Sequence, residues 1–293
     1  MSKARQIYYS AIFGAIGGLL AWLVIGSVTT GRWGLTSANL FVGAGVGLFI
    51  GGMVGAVDGI MNKQALRPAL SGSITGAIGG MVSGALGLLL GGAIFVVFGG
   101  GFLGRLLGWL LLGLLLGVSD GLVARSSLRI TYSAIGGTLA GAIGGLLYEF
   151  MTQVLARQNP GGATQMDRGQ MLLSALGLIL IGACLGGIIP TTIALFAQGR
   201  LRVLTGRRAG TEIDVLDAAT LGSYDGCELY LPGDKAIARK HARLHRDGNR
   251  FFVTALASAS GTFVDGAPLT AGALQAINKG AKLQLGNTVV ELL

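Results

Sequence analysis

The sequence predicts an all-α membrane domain of about six transmembrane helices, arranged as three repeated hairpins, followed by a C-terminal all-β sandwich. Only 12% of the 293 residues are charged and the mean hydropathy is +0.68, whereas charged residues make up about 25% of an ordinary soluble domain. The first 198 residues hold ten Lys/Arg and four Asp/Glu, and the last 94 hold twelve and nine. We therefore predict a membrane domain over residues 1–199 and a soluble domain over residues 200–293.

Six apolar runs occupy the first two thirds of the chain. Each is long enough to cross about 30 Å of hydrocarbon as an α-helix, which rises about 1.5 Å per residue. The first run follows Lys3 and Arg5 without a small-residue cleavage site, so we interpret it as a membrane helix and not as a removed signal peptide. The runs are Tyr8–Val28, Leu40–Met61, Leu70–Phe98, Leu103–Ala124, Thr131–Met151 and Gln170–Gln198.

Cations at the ends of the runs predict the orientation. With a cytoplasmic N-terminus, eight of them fall on the inner side and four on the outer side, as the positive-inside rule requires. The inner ones are Lys3, Arg5, Lys63, Arg67, Arg125, Arg129, Arg200 and Arg202, and the outer ones are Arg32, Arg105, Arg157 and Arg168. Six crossings then place the C-terminus in the cytoplasm, beneath the cell (inner) membrane. This topology explains the net charge of +9 without a nucleic-acid partner.

Glycine motifs indicate close helix packing and an internal repeat. Of the 53 glycines, 41 precede Gly199, and small residues let helices in lipid approach closely enough for dispersion contact. The pentamer Gly-Ala-Ile-Gly-Gly starts at Gly14, Gly76 and Gly141, 62 and 65 residues apart, which predicts three tandem hairpins. Gly-x-x-x-Gly pairs start at Gly14, Gly51, Gly72 and Gly113. Such faces serve packing within the chain or in a homo-oligomer, or alternatively they line a transport path.

Two acids recur near the predicted inner edge of the membrane. Asp58 and Asp120 each precede a glycine and are 62 residues apart, while the third copy has Leu185-Gly186-Gly187 near the matching position and no acid. A carboxylate within a bilayer is costly and is by default a functional candidate. Because Lys63 and Arg125 follow closely, a structural role at the interface competes with a role as an intramembrane ion or proton site.

After residue 200 the pattern changes to short runs separated by turn residues, which is typical of a β-sandwich. The 94 residues are enough for one hydrophobic core. The predicted strands are Leu201–Leu204, Glu212–Leu216, Glu228–Leu231, His241–His245, Arg250–Ala255, Gly261–Val264, Lys282–Leu285 and Thr288–Leu292.

Several motifs in this region occur in the order and at the spacing of one known family. They are Leu201–Gly206, Leu221-Gly222, Leu229–Asp234, Ala238–Ala242 in place of S-x-x-H, Ser258–Gly266 in place of S-x-N-G-T-x-x-N-G, and Gly280–Gly286. Together they resemble the forkhead-associated (FHA) domain over roughly Leu201–Leu293, a third of the chain. The resemblance implies a phosphothreonine-binding sandwich whose site lies in loops at one end.

The resemblance also implies a retained scaffold and a changed phosphate site. The scaffold positions are Gly222, His241, Gly261, Thr262 and Gly266, and in this family the histidine braces the loops. The ligand-binding positions are Ser223, Ala238, Arg239, Lys240 and Ser260. Ser223, Ala238 and Ser260 replace the family's Arg, Ser and Asn. Lysine and arginine nearby add charge, but not the fork of the lost arginine. We therefore expect degenerate or altered phosphothreonine binding.

The sequence contains no G-x-S-x-G, P-loop or H-E-x-x-H motif, and it has two histidines. Cys184 and Cys227 support neither a disulfide framework nor a metal site. We therefore predict no enzyme activity, no cofactor and no metal. The leading hypothesis is an integral membrane protein whose cytoplasmic FHA-like domain binds a cytosolic protein, phosphorylated or not, as a signalling or assembly scaffold. The alternative is a channel or transporter that this domain regulates.

Overall fold

The computed structural model describes residues 3–28, 35–124, 126–158, 168–248, 250–256 and 261–293. The chain divides into two compact units, one helical and one built of β-strands. The six long helices among the described residues are α1 (Lys3–Val28), α2 (Leu35–Val57), α3 (Leu66–Val97), α4 (Phe102–Ala124), α5 (Ser127–Gln158) and α6 (Arg168–Phe196). All six are long and apolar enough to cross a membrane, so the predicted number of helices is confirmed.

Two local features mark where helices end. The last turn of α2 widens into a π-helical turn, Asp58–Asn62. At the end of α3, Gly99 and Gly100 adopt φ angles of +71° and +75°, and their N–H groups donate to the carbonyls of Val96 and Phe95. This is the Schellman arrangement, which satisfies the last carbonyls of a helix and needs a residue that tolerates positive φ.

Glycine brings helices together backbone to backbone, and three of these interfaces show the arrangement most clearly. Between α2 and α3 four glycines on each helix meet in antiparallel order: Gly43 with Gly84, Gly47 with Gly80, Gly51 with Gly76, and Gly55 with Gly72. Gly14 on α1 meets Gly182 on α6, and Gly113 on α4 meets Gly137 on α5. A methyl group at Gly47 would lie 2.5 Å from the carbonyl carbon of Gly80. The Gly-x-x-x-Gly pairs that start at Gly14, Gly51, Gly72 and Gly113 therefore pack against helices of the same chain.

The helical unit buries small residues and exposes large apolar ones. In α3 the buried residues are Ala69, Gly80, Gly84, Gly87 and Gly91. The exposed ones include Leu70, Ile74, Ile78, Val82, Leu86 and Leu90, which follow one another every four residues. A helix on the surface of a water-soluble protein has the opposite arrangement, with its large apolar side chains against the core.

The β-unit is a sandwich of two sheets. Its strands are β1 (Gly199–Val203), β2 (Glu212–Val215), β3 (Ala218–Gly222), β4 (Leu229–Tyr230), β5 (Ala242–Asp247), β6 (Arg250–Ala255), β7 (Thr262–Val264), β8 (Ala267–Leu269), β9 (Leu274–Ile277), β10 (Lys282–Leu285) and β11 (Thr288–Leu292). One sheet has the order β2-β1-β11-β10-β7-β8 and the other β4-β3-β5-β6-β9. The β-sandwich predicted from the sequence is confirmed. The core lies between the sheets and includes Leu201, Leu221, Leu244, Val253, Leu283 and Val290.

Three strands lie outside the predicted set, namely β3, β8 and β9. β3 is rich in alanine, and its place in the sheet comes from pairing with β5 and β4. β8 contains Pro268, which has no N–H to donate, and β8 is accordingly an edge strand. β9 is the edge of the other sheet, where one neighbouring strand is enough to hold it.

Candidate recognition loops of the β-sandwich

The loop after β3 is joined to the loop before β5 by main-chain hydrogen bonds. The N–H of Ser223 donates to the carbonyl of Ala238 at 3.0 Å, and the N–H of Tyr224 donates to that of Arg239 at 3.1 Å. Gly222 makes this approach possible, because a Cβ there would lie 2.8 Å from the carbonyl carbon of Arg239. A side chain at position 222 would therefore force the two loops apart.

His241 holds three segments together from a fully buried position. Its Nδ1 accepts a 3.1 Å hydrogen bond from the N–H of Ala238. Its own N–H donates to the carbonyl of Leu221, and its carbonyl accepts from Leu256. Burial lowers the pKa of the imidazole, although a backbone hydrogen bond to Gly261 and the charge of Asp234 oppose this shift. A neutral ring can keep Nδ1 as an acceptor, as the bracing role implied by the family resemblance requires.

The loop after β6 carries the remaining scaffold positions. Thr262 is buried at the start of β7, and Gly261 before it has a φ angle of +70°. Gly266 has a φ of +84° beside Asp265 at +50°, which fits the Asp-Gly hairpin turn between β7 and β8. Ser260, the fifth ligand-binding position proposed from the sequence, lies outside the described residues.

Exposed positive charge in the loop before β5 comes from Lys235, Arg239 and Lys240. The guanidinium of Arg239 lies over the ring of Tyr224, 4.9 Å from its centroid, which is the geometry of a cation–π contact. The thiol of the buried Cys227 donates to the carbonyl of Arg239 at 3.3 Å. Burial raises the pKa of this thiol, which stays protonated. Tyr224 and Cys227 thus position Arg239, and the sequence offered only a turn signal, Tyr-Asp-Gly, to suggest them.

The two acids that recur in the sequence, Asp58 and Asp120, have different surroundings. Asp120, near the end of α4, accepts a 3.0 Å hydrogen bond from the hydroxyl of Ser133 on α5. The Nε of Arg129 lies 3.5 Å from the same carboxylate. Asp58 is exposed and begins the π-helical turn after α2. The two acids therefore differ in exposure and in local structure.

The model of the FHA domain family matches residues 219–286. The FHA domain-containing protein FhaB of Mycolicibacterium smegmatis is 33% identical over 134 residues, which cover 45% of this chain and 77% of that protein. FhaB of Mycobacterium tuberculosis H37Rv matches with the same identity and coverage. This chain belongs to the FHA domain-containing proteins. Its C-terminal FHA domain is a protein-interaction module, as in that family.

Solved FHA domains cover the same third of the chain. The FHA domain of FhaA, determined in complex with the intracellular domain of Rv3910, is 21% identical and covers 32% of this chain and 99% of that domain, with a TM-score of 0.29. The N-terminal FHA domain of Rad53p from S. cerevisiae, in complex with a phosphothreonine peptide, is 14% identical over 32% of this chain and 91% of that chain, with a TM-score of 0.30.

Proposed function

We propose that this FHA protein is a multi-pass protein of the cell membrane that binds a cytosolic protein and holds it at the bilayer. Residues 1–199 form the membrane domain, and residues 200–293 form the FHA domain beneath it. Both termini are cytoplasmic. One observation carries the proposal: Gly222 and His241 brace the loops after β3 and before β5, while Ser223 and Ala238 stand where the FHA family has phosphate-contacting side chains.

Membrane insertion is supported by the inverted packing of the helical unit. Exposed Leu, Ile and Val side chains such as Leu70, Ile74 and Ile78 would destabilise the fold in water, but they carry no such cost in lipid. Buried glycines supply the backbone contacts that join helices in a bilayer. Three interfaces of the same kind, α6 with α1, α2 with α3, and α4 with α5, also support a threefold hairpin repeat.

The charges of the loops favour binding of acidic segments in general over selective binding of phosphothreonine. An arginine fork that grips phosphate contributes about 1.5–3 kcal/mol per charge-assisted hydrogen bond, and Ser223 makes no such bond. Arg239 remains exposed, but its guanidinium lies on Tyr224. Lys235 and Lys240 are exposed nearby. We infer that these cations attract acidic or phosphorylated segments without the selectivity of the two-pronged contact.

A gain-of-function experiment tests the altered ligand preference. The full chain in lipid nanodiscs is titrated with a phosphothreonine peptide library and its unphosphorylated counterpart. We expect little discrimination by the wild type and clear discrimination by the triple variant Ser223→Arg, Ala238→Ser, Ser260→Asn, because the scaffold is already in place. A wild type that discriminates as strongly as the triple variant would show that phosphothreonine binding is intact. Ser223→Gln is the control for a change of size without charge.

A channel or transporter is the second candidate. It is favoured by the position of Asp58 in a π-helical turn, because π-bulges within α-helices frequently occur at functional sites. Purified protein in liposomes would then conduct ions or protons, and Asp58→Asn would lower the flux, with Asp120→Asn as the matched comparison. Absence of flux under every imposed gradient would reject this candidate.

A further inference from the structure

A cationic pocket opens on the FHA domain away from the recognition loops. Its volume is about 310 Å³. Three cations and two amides surround it and two apolar side chains form its floor: Arg246, Arg250, Lys279, Gln198, Asn278, Phe251 and Ile277. None of these lining residues is acidic. We propose that this pocket binds the phosphate of an anionic phospholipid, an inference that rests on the membrane location proposed above.

The register of three strands builds the pocket. Arg246 on β5 pairs with Phe251 on β6, which pairs with Ile277 on β9. These three residues form one row across the sheet. Phe251 and Ile277 are 5% and 4% exposed, whereas Arg250 and Lys279, which flank the row in sequence, are exposed. The row thus gives a rigid apolar floor with positive charge along its rim.

The pocket cations differ from Arg200 and Arg202, the two arginines of β1, in having no salt bridge to an acid. Arg200 lies 3.2 Å from the carboxylate of Asp214, and Arg202 lies 3.8 Å from that of Glu212. Asp247 lies opposite Arg250 in the strand register, but among the described residues no carboxylate lies within 4.0 Å of the charged nitrogens of Arg246, Arg250 or Lys279. Three cations around one cavity repel one another, and an anion between them removes that repulsion. A phosphate also accepts hydrogen bonds from a guanidinium fork and from amides such as Gln198.

Chain connectivity assigns the source of the phosphate to lipid. Gln198 follows Phe196, the last residue of α6, by two positions, and two residues span at most about 7 Å. Leu195 and Phe196 are 77% and 46% exposed, as expected for side chains at the end of a lipid-embedded helix. Gln198, which lines the pocket, is therefore close in the chain to the proposed end of the last membrane helix, and this proximity favours a phospholipid head group as the source of the phosphate.

Lipid binding by the full chain in nonionic detergent tests the proposal. Dioctanoyl phosphatidylglycerol is titrated and binding is measured by native mass spectrometry, with dioctanoyl phosphatidylcholine and glycerol 3-phosphate as the other probes. We expect phosphatidylglycerol to bind much more tightly than phosphatidylcholine or glycerol 3-phosphate. Each cation near an anionic surface contributes about a fivefold change in affinity, so Arg246→Gln with Arg250→Gln should weaken binding about 25-fold. Arg243→Gln removes an exposed cation from the same strand but outside the pocket, and it should leave binding unchanged.

Three results would overturn the proposal. Equal binding of phosphatidylcholine would remove the role of charge, and an equal loss with Arg243→Gln would remove the role of the pocket. Glycerol 3-phosphate binding as tightly as the lipid, with the same dependence on Arg246 and Arg250, would identify a site for soluble phosphate.

Alkaline carbonate extraction of native membranes separates this inference from the proposed function. Release of the protein would refute membrane insertion, whereas retention with unchanged lipid binding in the pocket variant would refute the lipid site alone.

Discussion

Replacing Gly47 by alanine probes the backbone contact between α2 and α3. The new methyl group would lie 2.5 Å from the carbonyl carbon of Gly80 and 3.2 Å from the Cα of Gly84, against ordinary contacts of 3.4–4 Å. The two helices must therefore separate by about 1 Å at this point, and a gap of about 0.5–1 Å loses a quarter to a half of each dispersion contact. The loss extends along the ladder, since Gly43 and Gly51 lie one helical turn away on either side.

The net effect follows from two opposing contributions. Alanine favours the helix over glycine by about 1 kcal/mol. Overpacking of a filled interface costs about 1–3 kcal/mol, and here the obstacle is backbone that cannot rotate away. The upper end of that range applies, so we expect a net destabilisation of about 1–2 kcal/mol.

Gly52→Ala is the matched control on the same helix. Its methyl group would meet the Cβ of Ala77 at 3.3 Å and no backbone atom closer than 3.6 Å, so the gain in helix propensity should nearly cancel the crowding. Both variants are unfolded reversibly in mixed micelles by sodium dodecyl sulfate, and the loss of helix is followed by far-ultraviolet circular dichroism. A Gly47→Ala protein as stable as Gly52→Ala would refute the account of this interface.

Three further predictions concern single groups. Because burial lowers the folded-state pKa of His241, the unfolded chain binds more protons below about pH 6.5. The domain's free energy of unfolding should thus fall on acidification, as measured by pulse proteolysis in urea, and His241→Asn should reduce this slope. An unchanged slope in that variant would contradict the reasoning. The carboxylate of Glu149, 8% exposed, lies 2.7 Å from the half-exposed Arg105. Arg105→Gln should therefore lower the midpoint of unfolding more than Glu149→Gln, since it leaves the buried charge without this guanidinium. Equal shifts would contradict that reasoning. Cys227, buried and with a raised pKa, should react with iodoacetamide at neutral pH more slowly than the amino acid cysteine in solution. Equal rates would contradict its burial.

The coarse architecture was predictable because two strong signals coincide with it. Long apolar runs identify the six helices, and ordered FHA motifs identify the sandwich. Strand β3 was missed because Ala218, Ala219 and Thr220 carry little apolar surface, and its position depends on pairing with β5 and β4. Sequence periodicity carries no information on such tertiary pairing.

The register of the predicted repeat also depends on tertiary contacts. Gly55 meets Gly72, Gly117 meets Ser133, and Gly186 meets Ser10 in the three glycine interfaces. When the three copies are aligned on these contacts, Ile189-Pro190 is the equivalent of Asp58-Gly59 and Asp120-Gly121. The pentamers instead align Leu185-Gly186 with those two pairs, four residues or about one helical turn earlier. The repeat itself stays a prediction, and this alignment makes its third copy lack the acid.

At the candidate site, the FHA motifs predict the scaffold and the substituted positions, but they do not predict the contacts around Arg239. The stacking on Tyr224 and the thiol hydrogen bond from Cys227 come from a loop whose residues suggested only a turn. The cationic pocket was likewise hidden, because Arg246, Arg250 and Lys279 are dispersed in the sequence and meet only through the strand register.

The central claim is that the recognition loops bind a cytosolic protein at the membrane. Its most direct test is quantitative capture of cytosolic proteins by the full chain in nanodiscs. The wild type is compared with a loop variant that combines Arg239→Ala and Lys240→Ala, and with the control Arg243→Ala. Each capture is done with untreated cytosol and with cytosol treated with phosphatase. We predict that the wild type and the control enrich the same partner and that the loop variant does not. Phosphatase treatment should leave this enrichment unchanged. Capture that is unaffected by the loop variant would contradict the claim.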